Sequence, residues 1–156
     1  MNKRLFSVAL AGLLLLVSAA ASSEAAEPGV PTLFREVKVA TGDVVIALGK
    51  PFDPAGLAEN VGERVYALLP GKFGGADRLL VTVSAAGSVS AMQFIYAQEA
   101  SFDQVVGRYQ ARFGQPRAMD DAAREGGVYW DDGRTRFEVR PPSTSVPAVS
   151  TVLLDR

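Results

Sequence analysis

Hydrophobic positions open this chain as a solid run, Leu5 to Val17, set behind the basic pair Lys3-Arg4 and ahead of small residues. That is the three-part pattern of a secretory signal, expected to be cleaved after Ala21 or a few residues later. At thirteen residues, Ser7 and Gly12 included, the run falls short of the roughly 20 that a spanning helix needs. Residues 1–26 therefore read as a signal peptide, 27–34 (EPGVPTLF) as a flexible leader with two prolines, and 35–156 as a single domain.

Within the domain the pattern changes period several times. FREVKVATGDVVIALG holds two β-rich runs around Thr41-Gly42-Asp43 and predicts a hairpin of about 35–40 and 44–48. PFDPAGLAENVG predicts a short helix, with Asp53 as its cap, Pro54 at its first position and Gly62 as its stop. Leu57, Ala58 and Val61 fall on one face of that helix, and Gly56 weakens it by roughly 1 kcal/mol relative to alanine. VYALLP reads as a strand ended by Pro70, and GKFGGAD as a glycine-rich loop without the spacing of a phosphate-cradling loop. LLVTV and SAMQFIY are the next strands. Taking Ala86-Gly87 as their turn pairs Val83 with Ser90, Val81 with Met92, Leu79 with Phe94, Thr82 with Ala91 and Leu80 with Gln93. Ala-Gly is a poorer hairpin turn than Asn-Gly, which leaves a one-residue slip open.

Helical spacing is clearest in SFDQVVGRYQARFGQP, residues 101–116. Ser101 followed by Gln104 makes a capping-box pattern. Phe102, Val105, Val106, Tyr109 and Phe113 form one apolar stripe, expected to pack on a sheet. Gly114 and Pro116 end the helix, and residues 117–126 read as a loop or weak helical turn.

GGVYWDDGRTRFEVR alternates strictly about Asp132-Gly133, a two-residue hairpin signal. A turn there sets Asp131 opposite Arg134, Trp130 opposite Thr135, Tyr129 opposite Arg136 and Val128 opposite Phe137. One face then carries Val128, Trp130, Thr135, Phe137 and Val139. The other carries Tyr129, Asp131, Arg134, Arg136, Glu138 and Arg140. After the loop PPSTSVPAV, the closing AVSTVLLD is partly apolar on both faces and predicts a strand with neighbours or cover on both sides.

The predicted order is β-β-α-β-β-β-α-β-β-β. It implies an α+β fold, an antiparallel sheet of several strands with two short helices packed on one face. Phe52-Asp53 and Phe102-Asp103 each open a helical unit, which suggests two related α-β-β-β units.

Composition narrows the chemistry. The chain has 156 residues, 16 Lys+Arg, 17 Asp+Glu, and neither histidine nor cysteine. Loss of residues 1–26 leaves 14 cationic against 16 anionic side chains, a net charge of −2, with no basic cluster of the kind nucleic acid requires. Without His or Cys there is no Ser-His-Asp or Cys-His nucleophile, no zinc site with nitrogen or sulfur ligands, and no redox dithiol. No cofactor is expected. Carboxylate chemistry remains open: Asp120, Asp121 and Glu125 are candidates for a hydrolase or a calcium ion, although they lack the alternating order of an EF-type loop.

VVIALGKPFD ahead of a short helix, then FGQP, then YWDDGRTRFEV, resembles small exported bacterial α+β domains of the β-lactamase-inhibitor-protein type. The small lipoprotein of the outer-membrane β-barrel assembly machine is similar. The resemblance covers residues 43–140. It implies a non-enzymatic protein that binds another envelope or secreted protein through one sheet face or its edge loops. The chain lacks the lipid-bearing cysteine of the assembly lipoproteins and the disulfides of the inhibitors, so no stable membrane anchor is expected after cleavage.

Two functions stand ahead of the hydrolase. The first is a protein-binding module of the periplasm or exterior that uses Tyr129, Asp131, Arg134, Arg136 and Arg140, since Arg and Tyr are enriched at binding hot spots. The second is a carrier of a small apolar ligand or lipid, in a pocket lined by Met92, Phe94, Phe113 and Phe137.

Overall fold

A computed structural model describes residues 30–39, 44–68, 75–120 and 126–156. The expected signal, the Thr41-Gly42-Asp43 turn, Pro70, and Asp121 and Glu125 lie outside the described residues.

The first hairpin forms as expected. β1 (Glu36–Lys38) and β2 (Val45–Ala47) pair antiparallel as a separate two-stranded sheet. The second expected element does not. Asp53 Oδ1 accepts from the Ala55 N–H (3.0 Å), and Pro54 O accepts from both Leu57 and Ala58 (3.0 Å each), giving one helical turn. Gly56 sits at φ +68° inside it, a left-handed conformation that glycine adopts freely and that a helix cannot continue through. The chain leaves as β3 (Ala58–Gly62), an edge strand on β4 (Val65–Leu68). A single turn recovers too few backbone hydrogen bonds to outweigh nucleation, whereas β4 offers a ladder.

The α+β expectation of two helices on a sheet is thereby corrected. The molecule is mostly β, with one helix among the described residues, α1 (Phe102–Phe113). The suggested duplication falls with it, because among the described residues α1 has no counterpart in the first half.

An eight-stranded antiparallel sheet forms the body, in the order β3-β4-β5-β6-β10-β9-β8-β7. Its other strands are β5 (Ala76–Val83), β6 (Val89–Tyr96), β7 (Arg117–Ala118), β8 (Val128–Asp131), β9 (Thr135–Arg140) and β10 (Ser150–Asp155). The last strand in sequence lies between β6 and β9 at the middle of the sheet. Its apolar residues on both faces fit that place.

The β5–β6 register matches the alternation at Leu79–Phe94, Leu80–Gln93, Val81–Met92 and Thr82–Ala91. It departs at the turn, where Val83 pairs Val89 rather than Ser90. Ala85–Gly87 make a three-residue loop with Gly87 at φ +83°, and the extra residue in β6 is absorbed as a bulge.

In the β8–β9 hairpin the observed partners are Val128–Val139, Tyr129–Glu138, Trp130–Phe137 and Asp131–Arg136. This is two residues away from the expected register. A shift of two preserves every face, so the predicted sidedness stands while the pairings change. The cause is Asp132. Its backbone N–H donates to Thr135 O (3.1 Å) and its Oδ1 accepts from Arg134 (3.0 Å) and Thr135 (2.7 Å), closing a two-residue turn on Gly133-Arg134, with Gly133 at φ +85°, one residue later than expected.

One face of the sheet is covered. Ser101 Oγ caps α1 by accepting from the Gln104 N–H (3.3 Å), and Gly114 at φ +80° ends it. Val105 and Phe113 are buried against the sheet. Phe137 packs with Tyr109 (4.5 Å between centroids), Phe34 (5.6 Å), Phe113 (5.7 Å) and Trp130 (5.9 Å). Such ring pairs contribute about 0.5–1.5 kcal/mol each beyond area burial. Trp130 Nε1 donates to Gly114 O (2.8 Å), satisfying a carbonyl at the end of the helix. The core reaches back to buried Leu33, whose N–H donates to Asp132 Oδ2 (3.1 Å), and to Phe34.

Candidate functional site

Met92, Phe94, Phe113 and Phe137, expected to line an apolar pocket, all belong to the buried core cluster. Phe94 also borders an open cleft beside α1, and Phe113 borders another.

Across the sheet, on the face turned away from α1, the register places Tyr129, Arg136, Glu138 and Arg140 beside Gln93, Ile95, Ser150, Val152 and Leu154. On β9 the period of two aims Arg136, Glu138 and Arg140 to one side. Glu138 is 0% exposed although it lies on the face turned away from α1. Two arginines beside it hold its carboxylate. Arg140 Nε donates to Glu138 Oε2 (2.8 Å) with Nη2 on the same oxygen, and Arg136 Nε lies 2.9 Å from Oε1. The Arg136 guanidinium rests 3.9 Å from the centroid of the Tyr129 ring. Both arginine side chains remain about a quarter exposed, at 26%.

The cation–π contact between Tyr129 and Arg136 therefore exists, although the two are diagonal neighbours rather than direct partners. Asp131 is not paired with Arg134. Its carboxylate forms an ion pair with Arg156, and its Oδ1 accepts from Gly133 N–H (2.8 Å). Arg134 sits exposed in the turn, where its carbonyl accepts from Arg35 Nη1 (2.9 Å). Of the five residues expected to act together, the structure gathers Tyr129, Arg136 and Arg140. It gives Asp131 to the C-terminus and Arg134 to the turn. The residue that organises the three was legible as the centre of Arg-x-Glu-x-Arg on a strand. Arg156, at the far end of the chain, left no local signal.

Neutral side chains dominate the rest of this face. Val65, Leu80, Ile95 and Leu154 are half-buried, and Val152 is buried. Seven strand spacings of about 4.8 Å and six residues of about 3.3 Å make a platform on the order of 600–700 Å². That approaches the roughly 800 Å² per partner of a standard protein interface.

No cluster of three or more acidic side chains that could hold a metal occurs among the described residues. Asp120 is exposed there, while Asp121 and Glu125 lie outside them. A second polar group faces the helix: the Tyr96 and Tyr109 hydroxyls are 2.7 Å apart. Burial, with the Tyr96 hydroxyl alongside, holds the Tyr109 phenol well above its ordinary range.

No family model, curated protein or solved structure matches the chain.

Proposed function

We propose that this chain is an exported, non-enzymatic protein-binding module of the cell envelope, and that it captures an acidic protein partner on the uncovered face of its sheet. One observation carries the reading: Glu138, wholly buried, holds two half-buried arginines in place beside Tyr129. A guanidinium already fixed in position loses less entropy on binding a carboxylate. The triad keeps one net positive charge, so a partner carboxylate meets attraction. The half-buried Val65, Leu80, Ile95 and Leu154 supply apolar area around it. Export is supported by Lys3-Arg4 ahead of Leu5–Val17, and the absence of His and Cys argues against most catalytic machinery.

The test is cross-linked affinity capture in the native envelope with the wild-type chain and the double variant Tyr129→Ala/Arg136→Ala. A stoichiometric partner recovered by the wild type should be lost by the variant, whose melting temperature should stay close to wild type. Equal recovery by both would remove this face from the function.

A further inference from the structure

On the α1 side of the sheet, a cleft of about 380 Å³ runs between β1 and α1. That lies within the range of small-molecule sites, about 300–1,000 Å³. Phe34, Val37, Phe94 and Tyr109 form an apolar floor, and Arg108 and Arg112 stand on the helix above it. Residues four apart share one side of a helix, so the two guanidiniums form a ridge along one wall. Arg112 lies 5.4 Å from the Phe34 ring centroid and 5.3 Å from that of Phe113, and Arg108 lies 5.9 Å from that of Tyr96. Aromatic faces thus hold both cations at the margin of the floor. Among the described residues of the lining, two arginines stand against one acidic group, Glu36.

We infer that this cleft binds a single-chain anionic amphiphile, a fatty-acid carboxylate, with its tail on the aromatic floor and its head on Arg108 and Arg112. Charge and polarity choose this occupant. A peptide would bring backbone groups that need partners when desolvated, and the one side-chain hydroxyl of the floor, that of Tyr109, is already bonded to that of Tyr96. A hydrocarbon tail has no such need, and its carboxylate matches the guanidinium fork. A neutral alcohol would gain only the tail contribution, and a cationic amphiphile would be repelled.

Isothermal titration of the purified chain with decanoate, decyl phosphate, decan-1-ol and decyltrimethylammonium tests the inference. Decanoate should bind saturably at one site, about tenfold or more tighter than decan-1-ol, a preference of ordinary size for one charge-assisted contact. The cationic amphiphile should not bind there, and the preference should shrink with added salt. Arg108→Gln/Arg112→Gln should lose the preference for the anion while still binding decan-1-ol. Val37→Glu, folded by its melting curve, should lose both ligands. Equal affinity for decanoate and decan-1-ol, undiminished decanoate binding by the double glutamine variant, or no saturable binding would overturn the site. Tighter binding of decyl phosphate than of decanoate would overturn the carboxylate assignment. Tyr129→Ala/Arg136→Ala should bind decanoate as the wild type does, so this site and the sheet face stand or fall separately.

Discussion

Trp130 ties three parts of the molecule together through one side chain. Its ring packs on Phe137 and Phe113, and its Nε1–H closes the helix by donating to Gly114 O. Trp130→Phe keeps an aromatic ring and deletes the donor. It should cost about 1–2 kcal/mol in urea unfolding, from the lost hydrogen bond and the smaller ring. Tyr109 makes a different prediction. Its raised pKa in the folded state means that the native protein holds this proton more tightly than the unfolded chain does. The associated stability is present in full below the ordinary phenol value of about 10 and is lost as pH rises above it. Melting temperature should therefore fall more steeply above that pH in wild type than in Tyr109→Phe. Superimposable alkaline profiles would show that Tyr109 is not the group responsible.

Elements differ in how much of their information is local. Helix α1 carries its own cap, stripe and stop, and it forms where the spacing predicts, from the residue after Ser101 to the residue before Gly114. Ser101→Ala removes the acceptor for Gln104 N–H and should cost about 1 kcal/mol, the usual loss of an N-cap, readable as a small drop in unfolding midpoint. The segment after Asp53 carries similar signals, yet it becomes a turn and a strand. Leu57, Ala58 and Val61 suit either outcome, and Gly56 at positive φ together with the waiting β4 edge decides against the helix. The β8–β9 hairpin stands between these cases. Alternation sorted its residues onto the correct faces, because sidedness survives a shift of two. It could not settle the partners, which depend on where the turn is centred, here on Gly133-Arg134 with the Asp132 carboxylate bracing it.

At the scale of the whole molecule, β10 joins the two halves of the sheet. It pairs with β6 on one side and β9 on the other, and Ser150 to Leu153 are at most 4% exposed. Deleting residues 148–156 should leave no cooperative thermal transition, since both halves would present unpaired inner edges and lose the buried Val149, Val152 and Leu153. A soluble, cooperatively melting truncation would show that the sheet closes without it. The same central strand builds the uncovered face, because Val152 and Leu154 bridge the Arg136–Glu138–Arg140 cluster to the apolar half at Leu80 and Ile95. The proposed protein-binding platform thus depends on contacts between residues far apart in the chain.

By itself, the sequence determined most of the antiparallel strands, the capped helix, the sidedness of the β8–β9 hairpin and the absence of cysteine and histidine chemistry. Each of these follows from the period of side chains along one element or from composition. Only the tertiary structure decided that the segment after Asp53 is a strand, that β10 lies at the centre, that Asp131 belongs to Arg156, and that Glu138 is buried between two arginines. Those outcomes rest on competition between partners distant in sequence: an available β edge against a helical turn, one carboxylate against another for the same cation. Local spacing records which face a residue takes, and the energy of long-range pairing chooses the neighbour it meets there.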